Sequence, residues 1–174
     1  MPQSMSQASI PVFVVGLNAL AAVLEKTEAF VAEKKIDPAA FLHSRLAPDM
    51  FDFTRQIQAV SDQARRGAAR LAGTEPPSYH DNETNFSELK ARLAKTVAYL
   101  QTLDAKAIDA SADRDIVVPI GGGRNGQMKG RDYLNYFLLP NYYFHLTTAY
   151  DLARHAGVQI GKRDFLGAVP LKIL

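Results

Sequence analysis

The chain has 174 residues, 47% of them hydrophobic and 22% charged, which suffices for one core and is too little for two independent domains. Twenty Lys and Arg against eighteen Asp and Glu leave a net charge of +2, far from the excess used to grip a phosphate backbone, so nucleic acid is not an expected partner. The absence of cysteine excludes disulfides, thiolate metal sites, iron–sulfur clusters and cysteine nucleophiles.

Residues 1–9, MPQSMSQAS, are polar and aperiodic, which predicts a loose tail. The apolar run from Ile10 to Leu24 covers fifteen residues and is broken by Pro11, Gly16 and Asn18. That is too short to span a bilayer, and no Lys or Arg precedes it as in a secretory signal. It reads as the first core helix of a cytoplasmic protein with no membrane partner. Phe13, Leu17, Leu20, Leu24, Thr27 and Val31 recur at helical steps, so this helix runs to about Lys35. Asp37 before Pro38 predicts an N-cap and a short helical turn through Phe41 to His43.

Pro48 opens the second long helix, with Asp49 near the positive end of its dipole. Phe53, Ile57, Val60, Ala64 and Leu71 form its stripe, and Gly73 ends it. Arg65, Arg66 and Arg70 in its last turns are read as a solvated face that complements the dipole, rather than as a basic binding patch. Tandem prolines make residues 74–84, TEPPSYHDNET, a surface loop. Asn85 and Glu88 then resemble a capping box, ahead of a third stripe made by Phe86, Leu89, Leu93, Val97, Leu100 and Leu103.

DIVVPI at Asp115 to Ile120, followed by a glycine-rich stretch, predicts a hairpin over 115–130 with its turn at Gly121 to Gly126. The last long helix runs from Asp132 to Ala156, capped by Gly157, and residues 158–174 wrap back over the core. Residues 1–174 therefore form one domain. The expected class is all-α, an antiparallel four-helix bundle with a small β-hairpin insertion before the last long helix.

Gly121, Gly123 and Gly126 match G-x-G-x-x-G, but the helix and parallel sheet that a dinucleotide site requires are missing, so the glycines read as a turn. On the last long helix, Leu134, Asn141, His145, Thr148 and Leu152 fall in one sector, which places an amide and an imidazole in the middle of a core-facing stripe. Such groups need a hydrogen-bond partner, a water or a ligand. Pro140 predicts a kink one residue before Asn141. Tyr136, Leu139, Tyr143, Leu146 and Tyr150 make a second greasy face, for which the C-terminal tail or a second copy of the chain supplies a cover, a homodimer being the expectation. Asp49, Gln56 and Gln63 lie along one edge of the second helix, so Gln56 points toward His145. Gln56, Asn141 and His145 are the candidate pocket residues, the alternative being a buried network that sets helix register. His43, His80 and His155 are not spaced as ligands.

LPNYYFHLTTAYDLARHAGV followed by GKRDFLG, with LAPDMFDFTRQI earlier, resembles the domain-of-unknown-function family DUF1993, a branch of the DinB-like (YfiT-like) superfamily. The resemblance implies a DinB-like four-helix bundle. It also implies a divalent metal held by three histidines, one on the second helix and two four residues apart on the last. Here His145 matches the final ligand, Asn141 the one before it, and Gln56 or its neighbour Arg55 the second-helix position. Neutral amides are poor ligands for zinc or nickel, so no metal cofactor is expected, with a divalent ion as the alternative. Three functions follow: a metal-free small-molecule pocket, an enzyme, or a non-catalytic dimeric bundle. The resemblance implies for the enzyme a thiol-dependent transferase or isomerase with His145 as general base, or a divalent-metal-dependent hydrolase.

Overall fold

Helix α1, Met5–Glu33, begins well before the apolar run does in the computed structural model, which describes residues 3–172. Ser4 accepts from the Gln7 amide at 3.3 Å and the Gln7 side chain accepts from the Ser4 amide at 3.2 Å, a capping box that turns most of the expected loose tail into helix. Met1 and Pro2, and Ile173 and Leu174 at the far end, lie outside the described residues. Pro11 deprives the Gln7 carbonyl of its helical donor, and the Gln3 side chain donates to that oxygen at 3.3 Å. At 29 residues α1 is long and apolar enough to cross a membrane, so the length argument made on the shorter run does not hold. Its stripe of Phe13, Leu17, Leu20, Leu24 and Val31 is instead buried in the core.

Asp37 caps α2, Pro38–Leu42. Helix α3 spans Phe53–Ala72, and Asp52, not Pro48 or Asp49, starts it, because the Asp52 carboxylate accepts from the Arg55 amide at 2.8 Å. Asp49 thus lies in the preceding turn, off the edge it was expected to share with Gln56. Gly73 closes α3 at φ 73°, the left-handed conformation that glycine tolerates. Helix α4, Phe86–Gln101, is capped by Asn85, while the Glu88 carboxylate reaches past the cap to the Thr84 amide at 2.6 Å. After α5, Ala105–Asp109, strands β1, Asp115–Pro119, and β2, Asn125–Lys129, pair antiparallel with Asp115 opposite Lys129.

The chain then enters α6, Gly130–Asp132, a π-helical turn at Tyr133–Leu138, and α7, Leu139–His155. The expected kink at Pro140 takes the form of this wider turn just before the proline. Gly67 of α3 makes room for it: a Cβ there would sit 2.3 Å from a Leu138 methyl. Helix α3 packs on α7 and α4, and α1 on α4 and α7, around one core that includes Phe13, Phe53, Ile57, Leu89, Leu138 and Tyr142. The C-terminal segment returns to α1 through α8, Lys162–Leu166, with Asp164 2.6 Å from Lys26 and Phe165 edge-on to Tyr150. The protein is mostly helical, with one small two-stranded sheet.

Candidate functional site

Helices α3 and α7 bring Gln56 and His145 together. Gln56 is 1% exposed, and its Oε1 lies 2.8 Å from His145 Nδ1. The other end of the amide, Nε2, donates to the Phe51 carbonyl at 3.3 Å. A main-chain carbonyl only accepts, so the NH₂ of Gln56 faces Phe51, its oxygen faces the ring, and His145 carries its proton on Nδ1. The second ring nitrogen, Nε2, is left with a lone pair and no bond to any described residue. Burial, and then the charge of Arg55, lowers the pKa of His145, so the ring is neutral at pH 7. Phe51 stacks alongside at 6.0 Å and 16°, and Phe144 meets the ring edge-on at 5.2 Å.

Asn141 does not join this pair. Its Nδ2 donates to the Phe137 carbonyl one turn back, at 2.7 Å, so the amide is turned onto its own helix. Of the three candidates, only His145 lines the open cleft between α3 and the last helix, which encloses about 250 Å³. Gln56 orients the imidazole from behind.

The α3 side of the cleft includes Phe51, Arg55, Arg66 and Arg70, with Asp62 as its carboxylate, and Pro119 and Phe137 contribute from the other segments. Periodicity gives Phe137 and Pro119 no signal, since only the chain's return through the hairpin and π-turn brings them here. Arg55, Arg66 and Arg70 do carry one: they lie on a helical stripe adjoining Gln56.

Arg65 departs from the solvated-face expectation. It is 1% exposed, paired with Asp62 at 2.7 Å, and donates to the Pro77 carbonyl. Arg92 of α4 is also buried and bonds Asp62 at 2.8 Å, Asp81 at 2.9 Å, Glu83 at 2.9 Å and Ser61 at 3.2 Å. Tyr79 lies beneath the Arg65 guanidinium at 4.2 Å and the Lys95 ammonium at 4.3 Å. This network clamps the 74–84 loop across α3 and α4. Through Asp81 and Gln58, which both bond Arg55, it also fixes one rim of the His145 cleft.

A three-histidine metal centre does not fit this donor set. The Gln56 oxygen is taken up by His145 Nδ1, Asn141 offers only a neutral amide oxygen, His145 offers the one free ring nitrogen, and no three His, Cys, Asp or Glu converge among the described residues.

The helical fold has a close structural counterpart. A crystal structure described as a DinB family member protein from Shewanella denitrificans matches with a TM-score of 0.89 and 37% identity, covering 97% of this chain and 95% of that one. The protein is thus of the DinB-like class. The model of the domain of unknown function DUF1993 matches residues 5–166, and the chain belongs to that family. No curated protein matches it.

Proposed function

We propose that the protein binds a small molecule, without a metal, in the cleft between α3 and α7, with His145 Nε2 accepting a hydrogen bond from the ligand. The relay from His145 Nδ1 through Gln56 to the Phe51 carbonyl carries this reading. It fixes both ring orientation and tautomer, and so presents an unprotonated nitrogen to a cavity. Lone polar groups in cores are used up by their partners; here the inner nitrogen is satisfied and the outer one is free. The lowered pKa favours a second reading, an enzyme in which the same nitrogen takes a proton from bound substrate as general base. The wider assignment is a DinB-like antiparallel four-helix bundle working in the cytoplasm as a homodimer. A second copy would cover Tyr136, Tyr143 and Phe144, which stand 76%, 41% and 56% exposed on the last helix.

A thermal-shift screen of a metabolite library against the wild type and His145→Phe tests the site. A ligand at about a hundred times its Kd adds about 2.7 kcal/mol of stability. At least one compound should raise the Tm of the wild type and leave the variant unchanged. A variant that keeps every shift would show that the imidazole takes no part in binding. Light scattering over a concentration series tests the dimer, and a strict monomer would remove the proposed partner.

A further inference from the structure

The cleft carries more positive charge than its own carboxylates balance. Arg55, Ala59, Gln63, Arg66 and Arg70 follow one another along α3 at steps of four, four, three and four residues, so they form one continuous wall. Arg55 is held by Asp81 and Gln58. Asp62, the carboxylate among the lining residues, is divided among three guanidiniums: Arg65 at 2.7 Å, Arg92 at 2.8 Å and Arg66 at 3.3 Å. Arg65 and Arg92 are buried and cannot shed their charge, so the carboxylate is largely committed to them. Arg70 makes no ion pair among the described residues; its guanidinium donates to the Tyr133 hydroxyl at 3.5 Å. Arg66 and Arg70 also line the adjoining groove, where Glu75 is the acidic neighbour. Two guanidiniums one helical turn apart repel each other, and α3 bears that cost beside an open cavity.

We propose that the Arg66 and Arg70 end of the cleft seats the anionic group, carboxylate or phosphate, of a small organic acid whose donor group meets His145 at the other end. The assignment rests on the cleft being the ligand site. Guanidinium forks match the planar oxygens of a carboxylate and the faces of a phosphate, and a cleft with low-dielectric walls concentrates their field. Between the two ends, Ala59 and Phe137 offer apolar surface to a carbon skeleton. About 15 Å of helix rise separates Gln56 from Arg66, the span that the ligand's carbon skeleton and the long arginine side chain cover together.

The test is an NMR titration of the full ¹⁵N-labelled chain in a chloride buffer of low ionic strength, with hexanoate, hexanamide and inorganic phosphate as probes. The Nε–H resonances of Arg66 and Arg70 should move saturably with an anion and stay still with hexanamide. Arg66→Gln and Arg70→Gln should each weaken the response about tenfold, as expected for loss of one charge-assisted pair. Arg66 is exposed, whereas Arg70 is half-buried and donates to the buried Tyr133 hydroxyl, so an unchanged Tm is checked for each variant before its titration is read. Saturation by hexanoate identifies a carboxylate seat, and saturation by phosphate alone a phosphate seat. Arginine resonances that ignore both anions, or midpoints unchanged in both variants, would overturn the proposal. Ligands that need His145 but neither arginine would leave the cleft as the binding site and remove only the acidic class.

Discussion

Gln56→Leu is the sharpest probe of the imidazole relay. The substitution keeps the volume of a 1%-exposed side chain while deleting a 2.8 Å bond from His145 Nδ1–H and a longer 3.3 Å bond to the Phe51 carbonyl. Each bond is worth about 1 kcal/mol net, and a stranded buried donor costs about 1–3 kcal/mol. The better burial of leucine offsets part of this, and Phe51 is exposed enough for water to replace the lost donor. His145 also has an escape: moving its proton to Nε2 relieves the stranded donor, leaving an unpartnered acceptor. The expected net loss is about 1–2 kcal/mol, or about 2–8 °C in Tm for a chain of this size. Urea unfolding and long-range ¹H–¹⁵N spectra of the ring read both consequences. The wild type should show the Nδ1–H form and the variant a shift toward Nε2–H. A wild-type ring protonated on Nε2, or a variant unchanged in both stability and tautomer, would refute the reasoning.

Three further predictions concern the titration of His145, the buried arginine network and the base of the hairpin. Because folding lowers the His145 pKa below its ordinary 6.5, the unfolded chain takes up a proton that the folded one refuses. Its contribution to stability is therefore complete above pH 6.5 and lost as pH falls through the folded pKa, so acidification from pH 7.5 to 5 should cost the wild type more Tm than His145→Phe; parallel Tm curves would contradict this. Arg92→Met leaves Asp62, Asp81 and Glu83 without their shared guanidinium and should cost about 3–5 kcal/mol in urea unfolding, whereas a loss under 1 kcal/mol would mean the network is hydrated rather than buried. Gly130→Ala places a Cβ 2.0 Å from the Ser111 carbonyl oxygen, a backbone atom that cannot swing aside, so a loss of about 3 kcal/mol or more is expected by thermal melting, and an unchanged Tm would show that the hairpin base shifts freely.

The long helices, the caps at Asp37 and Gly73 and the hairpin are consequences of local rules, which also turn Gln56 and His145 inward before packing joins them across 89 positions. Apolar periodicity places a face, turn chemistry places an end, and two inward polar residues on facing stripes are driven toward each other by desolvation. The start of α1 obeys the same turn chemistry, a Ser-x-x-Gln capping box at Ser4 and Gln7, but that box lies inside a polar run whose lack of hydrophobic period hides the helix. Asn141 shows a different limit. Its spacing from His145 places it on the same face, yet the Phe137 carbonyl one turn back is within reach of its side chain, and a local acceptor outcompetes a distant one.

What the amino-acid order determined alone is a family of amphipathic helices and the presence of an inward imidazole with an amide across from it. Only the tertiary arrangement decided that Gln56 stands behind the ring instead of beside a ligand, that Arg65 is buried while Arg66 and Arg70 face a cavity, and that Phe137 and Pro119 close its far wall. Helical period constrains direction from one axis. Which neighbour occupies that direction, and whether it leaves a gap, depends on where the other chain segments come to rest.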